Sequence, residues 1–216
     1  MNTVDAVWAV GRVTIQPLVH LVAPVKSYGA ERVPPTGGIV LSCKDFCWLD
    51  AGAFGATCPR TIHYMAKAEA HGVPGLGQLI RAFGTFSVRR GESDREAVGL
   101  MRKVVGDGNA LGLFVEGTRQ RSGVPGEVQP GAAMVALQED VPVVCAAIHG
   151  SQDWRLGKRV PVSVAWGAPL RFEGLPSGGR GYREGSAEIQ RELRRLWDWL
   201  VELHALGRPA RATPPA

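Results

Sequence analysis

The sequence predicts an α/β fold, a single layered domain with a mostly parallel central sheet flanked by helices. Two observations carry this. Short apolar runs recur at 39–42, 111–115, 141–148 and 160–166, of the length and composition of strands buried on both faces. Segments of helical spacing alternate with them, and that alternation points to a layered α/β architecture with sites at strand ends. One or two antiparallel pairings are compatible with the same pattern. A chain of 216 residues, 45% hydrophobic and 21% charged, is long enough for one full core and is neither disordered nor a membrane bundle.

Taken in order, residues 1–24 are predicted to hold a helix over Val7–Val22. It is apolar but broken by Arg12, Gln16, Pro17 and His20, so it falls short of the roughly 20 unbroken apolar residues of a membrane span. It lies either against the body or on a membrane surface, where Trp8 suits the water–lipid boundary. Asp5 stands where a secretory signal would be basic, which predicts a protein that stays in the cytoplasm. A turn around Pro34–Gly38 leads into the strand Ile39–Ser42.

Thr61–Ala66 alternates as a strand, Gly72–Gly75 breaks the chain, and Leu76–Phe83 reads as a short helix. Ser93-Asp94-Arg95-Glu96 has the form of a capping box opening a helix through Val98, Met101 and Val105, which Gly106 and Gly108 stop. The strand Leu111–Val115 follows, then a long polar loop, a helix over Ala132–Glu139 and the strands Val141–Ile148 and Val160–Trp166. A final helix from Ser186 to about Leu206 carries Ile189, Leu193, Leu196, Trp197, Leu200 and Leu203 on one stripe. The body thus spans 25–206, and the Pro- and Arg-containing residues 207–216 are expected to be a disordered tail.

Cys43, Cys47, Cys58 and Cys145 form no Cys-x-x-Cys pair and are read as reduced thiols, with no metal site. A formal charge of +5 favours anionic surfaces. The basic residues lack the aromatic interleaving of an RNA-binding sheet, which speaks against nucleic acid as a partner.

The chemistry concentrates at Phe114-Val115-Glu116-Gly117-Thr118-Arg119. A strand there runs into a glycine turn that offers backbone amides, a hydroxyl, a carboxylate and a guanidinium, a combination suited to phosphate. The planar fork of Arg119 binds two phosphate oxygens at once, and Glu116 can hold the fork or the loop.

This segment resembles the Phe-Pro-Glu-Gly-Thr-Arg block of the lysophospholipid, or 1-acylglycerol-3-phosphate, acyltransferases, with Val115 in place of proline. Three further blocks of that family have counterparts in order. Gly84-Thr85-Phe86-Ser87-Val88-Arg89-Arg90 is similar to the second, Val141–Ile148 to the fourth, and Lys44-Asp45-Phe46-Cys47-Trp48-Leu49-Asp50 to the first. The resemblance implies a glycerol-3-phosphate acyltransferase-like fold. It also implies transfer of a fatty acyl group, from the thioester of coenzyme A or acyl carrier protein, to a lysophospholipid such as lysophosphatidic acid in phospholipid biosynthesis. The thioester is then a co-substrate and no cofactor is bound. By the same resemblance Arg90, Glu116, Gly117, Thr118 and Arg119 bind the acceptor phosphate, with Lys67 and Arg89 as further basic candidates. The protein would work peripherally on the inner face of the cell membrane, with an anionic membrane surface as partner.

The first block departs from the family's His-x4-Asp pattern: Asp50 matches the aspartate, but Asp45 stands at the position of the general-base histidine. A carboxylate, with an ordinary pKa of about 3.9, is a weaker base than imidazole at about 6.5. Two carboxylates also repel, which raises one pKa unless Lys44 or a shared proton relieves them. Asp45 and Asp50 are therefore the catalytic candidates of an acyltransferase with an altered base. The alternatives are a catalytically silent module that binds lipid phosphate or a partner on the same scaffold, and a chain altered at this block alone.

Overall fold

The computed structural model describes residues 3–44, 46–88, 94–117, 126–155 and 157–215. A seven-stranded sheet forms its middle layer. In chain order the elements are α1 (Thr3–Val22), β1 (Val25–Tyr28), β2 (Ile39–Cys43), α2 (Trp48–Thr57), β3 (Ile62–Lys67), α3 (Ala68–Gly72) and α4 (Leu76–Ala82). Then come β4 (Phe86–Val88), α5 (Asp94–Gly106), β5 (Ala110–Phe114), α6 (Gly131–Glu139), β6 (Val143–His149), β7 (Val162–Trp166) and α7 (Gly179–Ala205).

The strands lie in the order β1-β7-β6-β2-β5-β3-β4. All pairings are parallel except β6–β7, as the sequence predicts. Because β7 is reversed, the starts of β1 and β7 share an edge with the carboxyl ends of β6, β2, β5, β3 and β4: Ser163 pairs with His149, and Val25 with Val162.

Every residue of β2, Ile39-Val40-Leu41-Ser42-Cys43, is buried because both faces of the sheet are covered. Side chains alternate between two cores. Val40, Leu111 and Val143 face Ile189, Leu193 and Leu196 of α7 together with α5 and α6. Ile39, Leu41 and Val144 face Leu49, Ala53 and Phe54 of α2 and Trp8 and Val19 of α1. Each such side chain contributes roughly 1.5–3 kcal/mol by leaving water.

Helix α7 and the strands β1 and β4 differ from their expected form for local reasons. Helix α7 begins at Gly179 rather than Ser186. Its first turns carry Gly181 and Gly185, each costing about 1 kcal/mol relative to alanine in a helix, and packing overrides that cost because a Cβ on Gly185 would come 3.1 Å from Ala133. The short strands β1 and β4 have too few residues to show a period.

The tail does not fit the expected disorder. The guanidinium of Arg208 donates to Ser163 Oγ, Pro24 O and Val162 O at 2.7–2.9 Å. Arg32 donates to the carbonyls of Pro214 and Pro215, both at 2.7 Å. Carbonyl acceptors and a buried arginine supply the ordering that an apolar count misses, and Lys26 of β1 donates to Arg208 O at 2.6 Å.

Trp8 is also not at a water–lipid boundary. It is 7% exposed, donates from Nε1 to Phe83 O at 3.0 Å and meets the Phe83 ring edge-on. The helix docks on α2, while Val10, Val13, Leu18 and Leu21 stand exposed along its outside. Among the described residues no helix is long and apolar enough to cross a membrane.

Candidate functional site

The sequence candidates converge on one edge of the sheet. Position 45 follows β2, Glu116 and Gly117 follow β5, Lys67 ends β3 and pairs with Val88 at the end of β4, and positions 89 and 90 come next. These are the carboxyl ends of four neighbouring parallel strands, β2-β5-β3-β4, the edge where α/β sheets form ligand sites. Asp45, Arg89, Arg90, Thr118 and Arg119, with Ser93 of the expected capping box, lie outside the described residues. For Lys67 the backbone position alone is described.

Asp50 is completely buried in the first turn of α2. Its Oδ2 accepts the amides of Phe46 at 2.5 Å and Cys47 at 2.9 Å, and the Cys47 thiol lies 3.9 Å from Oδ1. Two otherwise orphaned amides at a helix start are thereby satisfied, as in a capping box with cysteine in place of serine. In this structure Asp50 fixes the turn on the far side of position 45.

Strand β5 is tied to β2 up to its last residue, and one step further Val115 N donates to Cys43 O at 3.0 Å. The chain then turns: Gly117 N reaches back to Phe114 O at 3.2 Å, and Gly117 takes φ 68°. That left-handed conformation costs other L-residues about 1–2 kcal/mol, so the turn selects glycine. Glu116, 5% exposed, accepts the amide of Gly126 at 2.6 Å. Gln190 of α7 adds a clamp, donating to Gly126 O at 3.1 Å and accepting from Val128 N at 2.8 Å. The Glu116 carboxylate thus joins the described chain on either side of residues 118–125.

Beside this neck is a cluster of which the sequence reading named only Lys44, as a cation that could relieve the two carboxylates. Lys44, one residue beyond β2, is fully buried, and its Nζ sits 4.2 Å from the centroid of the Trp197 ring with no hydrogen-bond partner among the described residues. Burial is the larger influence on Lys44 and pushes its pKa down to about 7 against the pull of Glu116. Trp197 also packs on Phe46 and on His149 at the end of β6. The His149 ring stacks edge-on against His204, whose Nε2 is 2.9 Å from Ser163 Oγ. Burial lowers the pKa of both histidines, that of His204 to about 4. The signal available in the sequence was a lysine directly after an unbroken apolar strand.

The four cysteines are free thiols. Among the described residues no group of three or more His, Cys, Asp or Glu side chains could hold a metal. A cleft of about 660 Å³ lies at the opposite edge of the sheet, lined by Arg12 and Arg60. Both guanidinium groups already donate to backbone carbonyls there, Arg12 to Pro59 and Arg60 to Pro34 and Gly108.

Residues 24–149, which contain both the Asp50 turn and the Glu116 neck, match the family model described as Acyltransferase. The chain belongs to the acyltransferase family. It is 31% identical over 168 residues to the 1-acyl-sn-glycerol-3-phosphate acyltransferase of Bacillus subtilis, an alignment spanning 76% of this acyltransferase and 83% of that protein. The crystal structure of the 1-acyl-sn-glycerophosphate (LPA) acyltransferase from Thermotoga maritima superposes with a TM-score of 0.76, covering 92% of this chain and 81% of that one. At 20% identity that likeness speaks to the fold.

Proposed function

We propose that this acyltransferase moves a fatty acyl group from a coenzyme A or carrier-protein thioester to the free hydroxyl of a lysophospholipid of the 1-acylglycerol-3-phosphate type. The observation that carries the reading is the convergence of the candidate segments on the carboxyl ends of β2, β5, β3 and β4. Acceptor phosphate would be held by Arg90, Gly117, Thr118 and Arg119, with Lys67 and Arg89 adding positive charge and Glu116 keeping the neck closed. The hydroxyl, oriented by that anchor, attacks the thioester carbonyl as a base accepts its proton, and the thiolate leaves. The base is Asp45, with Asp50 fixing its turn. The reaction draws on the thioester as co-substrate and calls for no bound cofactor or metal.

The acceptor would be met at an anionic membrane surface. Supporting this, Leu18 and Leu21 of α1 and Trp48 at the start of α2 are 57%, 65% and 71% exposed, and Lys158 and Arg159 border Leu21 and Val22. Apolar side chains flanked by cations suit shallow insertion among acidic headgroups.

A second reading, a silent lipid-phosphate or partner-binding module, is favoured by one observation, the carboxylate at position 45. General-base assistance is worth about 10² to 10⁴ in rate, so a poor base slows transfer without abolishing it. The experiment is radiolabelled acyl transfer to lysophosphatidic acid from palmitoyl-coenzyme A and from palmitoyl carrier protein, with the native chain and Asp45→His in parallel. Turnover by the native chain supports the enzyme, turnover by Asp45→His alone shows a scaffold silenced at one residue, and tight acceptor binding without turnover by either favours the module.

A further inference from the structure

We propose that Lys44 is a positioning residue of this site: its buried ε-amino group sets the charge state of the carboxylates at the ends of β2 and β5, Glu116 within its electrostatic reach and Asp45 next in the chain. An amine with no exposed surface and no hydrogen bond among the described residues is costly to keep. Among the described residues it makes no ion pair or hydrogen bond that would account for its presence. Its Nζ lies over the face of Trp197, which favours the charged form.

Charged and titratable groups act on Lys44 from β5, β2, α7 and β6. Glu116 stands after β5, Cys43 precedes it on β2, Arg194 and Asp198 lie on α7, and His149 ends β6. Glu116 exerts the largest charge effect among those acting on the amine. Desolvation and these charges balance near neutrality, with the amine losing its proton at about pH 7. Below that pH an ammonium keeps the neighbouring carboxylates ionised. Above it the cation is gone and a carboxylate holds a proton more readily.

The test uses Lys44→Met, which keeps the length and packs on Trp197, and Lys44→Gln as a second variant should methionine disturb the fold. With ¹³C-labelled glutamate carboxyls, and Glu116 assigned through Glu116→Gln, the Glu116 titration midpoint is expected to rise by at least half a pH unit in Lys44→Met. An unchanged midpoint overturns the proposal. The second readout rests on the acyl-transfer reading. At pH 6 kcat/KM should fall at least tenfold, while at pH 9, where the native amine is already neutral, the variant should match the native chain within about threefold. A loss equal at both pH values marks a merely structural lysine and overturns the proposal. If the native chain transfers no acyl group at any pH, the acyl-transfer reading fails, and the Glu116 titration still decides the role of Lys44.

Discussion

The Glu116 carboxylate accepts the Gly126 amide at 2.6 Å, so the chain leaving β5 and the chain returning toward α6 are pinned to each other across residues 118–125. Glu116→Ala removes the acceptor from a part-buried amide, a cost of about 1 kcal/mol. Glu116→Gln retains a carbonyl oxygen in the same place. Lysophosphatidic acid affinity, measured by calorimetry, is therefore expected to fall at least tenfold in the alanine variant and less than threefold in the glutamine variant. Equal losses would show that charge at Glu116, rather than closure of the neck, is what counts.

Asp50 offers a similar comparison at the other side of the site. Its Oδ2 serves the amides of both Phe46 and Cys47 in a fully buried turn. Hydrogen bonds to a charged acceptor are stronger than neutral ones, and removing the acceptor strands two donors. Asp50→Ala should lower unfolding free energy in urea by about 2–3 kcal/mol. Asp50→Asn can still present one oxygen and should lose roughly half as much. If alanine costs under about 0.5 kcal/mol, the turn before α2 does not depend on this carboxylate.

The layered fold was legible because its strands are buried on both faces. Ile39–Cys43 and Val143–His149 are apolar almost throughout, and the α7 stripe from Ile189 to Leu203 repeats at helical spacing. The order of the motif blocks likewise anticipated which segments meet, since Glu116 and the residue after Lys44 follow adjacent strands. What was hidden depends on contacts between segments distant in the chain. Arg208 orders the tail through carbonyls of Pro24 and Val162, and no local pattern announces such acceptors. Trp8 looked interfacial as a lone residue in an apolar helix, and only the Phe83 carbonyl shows where its indole is satisfied. The Lys44–Trp197–His149 cluster joins the end of β2, α7 and the end of β6, and beyond a lysine placed directly after a buried strand the sequence spacing carries no trace of it.

His204 gives the chain an acid-sensitive point. Its folded pKa is depressed to about 4 by burial, with His149 and Arg208 adding repulsion, against about 6.5 for an unfolded histidine. Above pH 6.5 neither state holds the proton. As the pH falls from 6.5 toward 4 the unfolded chain binds it first, so stability is lost through that window and the loss is complete below pH 4. Allowing for partial exposure of the ring, the effect is on the order of 1–2 kcal/mol. His204→Gln keeps a polar group near Ser163 and cannot titrate. Urea unfolding at pH 7 and pH 4.5 should show a drop at least 1 kcal/mol smaller for the variant than for the native chain. Identical drops would place the acid sensitivity elsewhere.

The outer side of α1 tests the membrane reading. Leu18 and Leu21 expose 57% and 65% of their surface, and each would return roughly 1.5 kcal/mol or more on entering an apolar phase. Lys158 and Arg159, near Leu21 and Val22, add an attraction that salt screens. Co-sedimentation with phosphatidylglycerol vesicles should therefore weaken by roughly 50-fold in Leu18→Ser/Leu21→Ser, the equivalent of about 2–3 kcal/mol. Lys158→Gln/Arg159→Gln should bind less tightly at low salt and converge on the native chain at high salt, and phosphatidylcholine vesicles should show no such charge dependence. Neither side chain packs in the core, so melting temperatures should stay within about 2 °C of native. Undiminished binding by the double serine variant would show that the exposed side of α1 is not what meets the lipid.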